Sequence, residues 1–130
     1  MRTTLAQHLV TLIQKWAANL GISDYKYDFT LHPDKVMGSD YARVDTNDVT
    51  RDVIIEFNRH KLTQEPDEIE STVVHELLHV RVNEYAEFIL DVIRTYVNDP
   101  KTKKLLQKQA EKLEHKTIVS ITDALLKEKK

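Results

Sequence analysis

The chain has no cysteine, only two glycines and three prolines among its 130 residues, and no long apolar run. Without cysteine there is no disulfide framework, no thiolate zinc site and no thiol nucleophile. With so little glycine and proline, no linker, repeat or low-complexity tract interrupts the chain. No stretch approaches the roughly 18 apolar residues of a membrane span, and Met1 to Leu20 lacks the apolar core and cleavage site of a signal peptide. The expectation is therefore a cytoplasmic protein with no membrane partner. A net charge of -2 likewise argues against nucleic acid as a main partner.

What is present is ordinary for a globular domain: 41% hydrophobic and 31% charged residues, in a length that suits one domain spanning 1–130. Charge is unevenly spread. Met1 to Val97 holds 10 Lys and Arg against 16 acids, whereas the segment from Asn98 onward holds 9 Lys against 5 acids. The C-terminal segment is thus basic on an acidic body, as a lysine-rich solvated helix face would be.

Leu5, Leu9, Leu12, Ile13, Trp16 and Leu20 recur at spacings of three and four, which predicts an amphipathic helix over Met1 to Leu20, stopped by Gly21. Tyr25, Tyr27, Phe29 and Leu31 alternate with polar residues and predict a half-buried strand. Tyr41 to Thr46 alternates more weakly, Asn47-Asp48 suits a turn, and Val53 to Phe57 is a second strong strand. These runs predict a small three-stranded, mostly antiparallel sheet with a hairpin between its last two strands. Pro66-Asp67-Glu68 then opens a helix whose apolar pattern continues to about Val97, long enough to invite a break after His79. Asn98-Asp99-Pro100 ends it, and a last helix is expected over Lys101 to Lys127. Together these elements make an α+β fold.

The sharpest pattern is His75-Glu76-Leu77-Leu78-His79. A helix turns about 100° per residue, so residues four apart lie on one face, one turn above each other. His75 and His79 can therefore address one cation about 2.0–2.1 Å from each ring nitrogen. Glu76 falls beside such an ion rather than on it, placed to accept and return a proton. Val73, Val74, Leu77, Leu78 and Val80 supply the rigid apolar support that a ligand pair needs. A chain with 6 histidines produces this spacing by chance roughly once in fifty. The plain alternative is two half-buried histidines on an amphipathic helix, so the surrounding residues decide.

Those surroundings resemble the zincin superfamily of metallopeptidases, where Thr or Val stands three before the first His and apolar residues fill the motif. Thr72, Val73, Leu77, Leu78 and Val80 match, while Arg81 stands at a usually apolar position. Within the superfamily the chain looks similar to the gluzincins, including minigluzincins and small phage-encoded metallopeptidase-like proteins. The layout corresponds from about Trp16 to Leu126; only His75 to His79 is a sharp match. The resemblance implies a zincin-like fold: an N-terminal helix, a small sheet, an active-site helix and a C-terminal helix that supplies a third ligand. It also implies one zinc ion per chain, a peptide or protein substrate added along a sheet edge, and Glu76 as catalytic base and acid.

Catalytic zinc takes three protein ligands and keeps a fourth position open. The metzincin pattern fails, because Val82 and Tyr85 stand where it needs Gly and His. Glu84, five residues past His79, points about 140° away on the same helix, and Glu87 lies about 12 Å further along it. Glu114 is the favoured third ligand, since with Ile118 and Ile121 it continues the inward stripe of the last helix. His115 is the rival, as in zincins with three histidine ligands. His8, His32 and His60 read as structural or solvated. Arg81, Tyr85 and Tyr96 are candidates for stabilising an oxyanion, and the sequence does not choose among them. The reading that follows is a zinc-dependent endopeptidase. Its alternative is a non-catalytic zinc-binding interaction module, or a latent enzyme with its site covered by Leu125 to Lys130.

Overall fold

The first helix, α1 (Leu5–Asn19), starts at Thr4 through a reciprocal cap. The Gln7 backbone N–H donates to Thr4 Oγ1 at 3.1 Å and the Thr4 N–H donates to Gln7 Oε1 at 3.0 Å, so two orphan donors of the first turn are satisfied. Of the stripe expected from the spacing, the helix buries Leu9, Leu12, Ile13 and Trp16, with Ala17 beside them, while Leu5 and Leu20 are half-buried. Gly21 follows with φ of 72°, the left-handed conformation that ends helices and favours glycine. The computed structural model describes residues 3–33 and 37–127.

Three strands follow: β1 (Lys26–His32), β2 (Ala42–Asn47) and β3 (Asp52–Asn58), in the spatial order β1-β3-β2. The most apolar strand takes the centre, with Val53, Ile55 and Phe57 fully buried. The hairpin between β2 and β3 is antiparallel, as expected, and closes at Asn47 opposite Asp52. Asn47 Oδ1 accepts from the Val49 and Thr50 N–H groups, an Asx turn that holds the reversal. β1 runs parallel to β3. The sheet is therefore mixed rather than mostly antiparallel, with one pair of each kind. Alternation reports which face is buried and is silent on strand direction, so the sequence carried no sign of this.

A short helix that periodicity does not reveal, α2 (Arg59–Gln64), leaves directly from β3. Its start is marked by one side chain. Asn58 is completely buried; its Oδ1 accepts from Lys61 N–H at 3.1 Å, and its Nδ2 donates to the Asp40 carbonyl at 3.1 Å. Its own N–H donates to the Tyr41 carbonyl at 2.8 Å. One amide thus caps a helix and fastens the loop ahead of β2.

After a 3₁₀ turn over Pro66–Glu68 comes α3 (Ile69–Tyr96), one uninterrupted helix of 28 residues. The break invited after His79 does not occur. Trp16 Nε1 donates to Glu70 Oε2 at 2.8 Å, joining α1 to the first turn of α3. The last helix, α4 (Pro100–Lys127), begins where expected. Asp99 Oδ2 accepts from the Thr102 N–H and hydroxyl, at 3.1 and 2.6 Å, while Pro100 takes a first-turn position where its missing N–H costs nothing.

The described structure is α+β, with four helices and a small mixed sheet. It divides into two compact units, 1–81 and 82–130. The first holds α1, the sheet, α2 and the His75–His79 part of α3. The second is a helical hairpin made of α3 from Val82 onward and α4. Between its two helices runs a groove of about 490 Å³, lined by Ile89, Ile93, Leu106, Ala110 and Leu113 among others. No helix among the described residues is long and apolar enough to cross a membrane.

Candidate metal centre

The motif lies on the first half of α3, and the residues flanking it explain why it is held there. Val73, Val74, Leu77, Leu78 and Val80 are all buried, so their side of the helix is committed to the interior. Thr72 hydrogen-bonds the turn that leads into its helix, donating from Oγ1 to the Glu68 carbonyl at 2.7 Å. His75 and His79 occupy the remaining half-buried face. Their ring centroids are 5.0 Å apart with planes at 69°, as expected for imidazoles one helical turn apart.

Ligand-capable nitrogens of His75, His79 and His115 all lie within 4.8 Å of one another. Three neutral imidazoles suit zinc, and copper or nickel also accept such donors. The set fits a metal ion.

Glu114, the favoured ligand on sequence grounds, is not in that group. It is half-buried and contributes to the wall of the groove in the second unit. Neighbouring residues on a helix diverge by about 100°, so Glu114 and His115 cannot point the same way. The stripe that made Glu114 attractive holds only in part: Ile118 is buried, but Ile121 is 37% exposed, and Thr122 is the buried residue of that turn. That stripe serves packing, and the ligand-capable side chain is the next one round.

Glu76 is only 7% exposed and is the one charged side chain buried among the described residues. Burial, reinforced by the negative charge of Asp40, pushes its carboxyl up to about 7. Asp40 was not singled out by the sequence. It lies in the loop that Asn58 fastens, and Arg43 holds its carboxylate with Nε to Oδ2 at 2.8 Å while donating to the Met37 carbonyl at 3.2 Å. Only the fold brings residue 40 to residue 76, although Gly38-Ser39 signals the turn.

The other candidates separate clearly. His8 and His60 are exposed, and His32 Nε2 lies 3.9 Å from Glu56 Oε1 on the sheet. None of the three joins the metal-competent group. Arg81, Tyr85 and Tyr96 are exposed, the two tyrosines on the hairpin unit. Comparison with protein-family models, curated proteins and solved structures finds no match to this chain.

Proposed function

We propose that this chain is a zinc-dependent endopeptidase, with His75, His79 and His115 holding the ion and Glu76 as general base and acid. The observation that carries this reading is a buried carboxylate one residue from the first of two imidazoles that share a helix face. Such a carboxylate has no packing value of its own, because a buried acid without a role costs stability. When bound, zinc supplies Lewis acidity that makes water nucleophilic near neutral pH and polarises a carbonyl. Glu76 takes the proton of the attacking water as its oxygen adds to the peptide carbonyl carbon. The C–N bond then breaks, and Glu76 returns that proton to the departing amine nitrogen. The peptide adds as an extended strand along the outer edge of β1 or β2, where main-chain hydrogen bonds give affinity with little sequence preference.

Elemental mass spectrometry of tag-free protein should find about one zinc per chain. Glu76→Gln should keep that zinc and lose roughly 10²–10⁴-fold in casein cleavage. Undiminished cleavage in the variant removes Glu76 from the mechanism, and protein that takes up no zinc after refolding with metal removes the site.

A second reading is favoured by the apolar side chains exposed on the hairpin unit, Tyr85, Phe88 and Tyr96 foremost. It is a non-catalytic or latent zinc-binding interaction module. Cleavage that appears only when the chain is cut back before Leu125 identifies latency; Glu128 to Lys130 lie outside the described residues. Zinc uptake without cleavage at any chain length identifies a binding role.

A further inference from the structure

The last helix concentrates its charge on the face that carries His115. At about 100° per residue, Lys101, Lys104, Lys108 and Lys112 fall within about 80° of arc on α4, and His115 falls inside the same arc. All five residues are exposed. Among the described residues none of these four lysines forms an ion pair, although α3 carries Glu84, Glu87 and Asp91 in the same unit. Asp91 is held by Arg94 at 3.1 Å. The acids nearest the arc are Glu111, about 20° outside it and lining the groove, and Asp123, about 12 Å beyond His115. The fold thus leaves the charge of four ammonium groups to solvent or to a ligand.

Spacing names the shape of that ligand. Lys104, Lys108 and Lys112 step along the helix axis by about 6.0 Å each. In an extended peptide, side chains on one side recur at every second residue, about 6.4–6.8 Å apart. Acids at alternate positions therefore meet these lysines in turn. Lys112 lies about 4.5 Å along the axis from His115 and Lys108 about 10.5 Å, so the run begins at the imidazole. Nitrogens of His75, His79 and His115 lie within 4.8 Å of one another, so a peptide held at that group is held beside this face of α4. The rest of the chain repels an acidic ligand, since Met1 to Val97 holds 16 acids against 10 Lys and Arg. A nucleic-acid duplex matches less well: it carries about one charge per 1.7 Å, far denser than the lysines, and meets the same repulsion.

We propose that the Lys104–Lys108–Lys112 face of α4 binds an acidic, extended segment of the peptide substrate, which makes acidic peptides the preferred substrate class. The substrate role rests on the peptidase reading; the binding itself is measured without zinc or cleavage.

Chelator-treated Glu76→Gln protein should bind a fluorescein-labelled alternating Glu-Ala peptide roughly tenfold tighter than a Lys-Ala peptide by anisotropy at about 50 mM salt. The preference should shrink by about 200 mM, as screening shortens the reach of exposed charges. Lys108→Glu/Lys112→Glu should reverse it. Lys103→Glu/Lys127→Glu, the same charge change about 120° round from His115, should keep it. Lys108→Gln/Lys112→Gln, which adds no like charges to the helix, should abolish the preference without reversing it, and circular dichroism checks that each variant stays helical. Equal affinity for the two peptides overturns the proposal. So does a preference that both charge reversals weaken alike, because net charge rather than this face then accounts for it. A single-stranded oligonucleotide of equal charge that binds tighter than the acidic peptide also overturns it, and reassigns the lysines to nucleic acid. Zinc content and casein cleavage decide the peptidase reading separately, so the two fail independently.

Discussion

Glu76 carries two opposed demands at the residue scale. An unfolded chain would hold its carboxyl at the ordinary 4.5, whereas in the metal-free fold it stands at about 7. Between those values the folded protein keeps a proton that the unfolded chain has released, so stability falls as pH rises through this window. The contribution is fully present below pH 4.5 and lost above about 7. A tenfold difference in proton affinity corresponds to about 1.4 kcal/mol, which makes the whole effect on the order of 3 kcal/mol. Urea unfolding of chelator-treated protein should therefore find Glu76→Gln more stable than the wild type at pH 8 and indistinguishable from it at pH 4. Equal stabilities at pH 8 would mean that Glu76 is solvated. The same substitution should thus cost activity and strengthen the metal-free fold, the trade expected of a group kept for chemistry.

At the scale of elements, the loop before β2 depends on a single amide. Asn58 joins β3, α2 and the Gly38–Tyr41 loop through one buried side chain and its own N–H. Asn58→Ala would leave the half-buried Asp40 carbonyl and Lys61 N–H without that partner, and each such lost hydrogen bond costs about 0.5–1.5 kcal/mol. A loss of roughly 1–3 kcal/mol in urea unfolding is expected. Asn58→Asp should recover the helix cap but not the bond to the Asp40 carbonyl, because a carboxylate has no N–H to donate. A variant with wild-type stability would show that water replaces the amide without penalty. By contrast, the long helices owe their limits to local devices: the Thr4–Gln7 box, and Asp99 with Pro100. Such devices sit in consecutive residues, so the sequence displays them. The cap of α2 also lies in the sequence, but nothing apolar recurs after it to draw attention to it.

For the whole molecule, the proposed metal site predicts a link between zinc and stability. An ion that binds the folded chain and not the unfolded one stabilises it by about 2.7 kcal/mol when present at 100 times its dissociation constant. Zinc should therefore raise the melting temperature, with chelator reversing the rise. His115→Ala should abolish most of that increment while Glu114→Ala preserves it. If Glu114→Ala removes the increment instead, the carboxylate is the ligand that zinc recruits. No response to zinc in the wild type would leave three neighbouring imidazoles without a metal role.

Sequence alone determined whatever is written in adjacent turns and alternations. The inward stripe of α1, the strand character of Tyr25 to Leu31 and Val53 to Phe57, and the shared face of His75 and His79 all follow from periods of 3.6 and 2. The burial of Val73, Val74, Leu77 and Leu78 belongs to the same class, because a single helix settles it. Tertiary structure decided the rest. It placed β3 between two neighbours of opposite direction, which alternation does not encode. It set Asp40 against Glu76 from 36 positions away and brought an imidazole of residue 115, rather than the carboxylate of residue 114, to the histidine pair. A difference of one residue is about 100° on a helix, and the sequence does not state the azimuth at which a helix faces its neighbours.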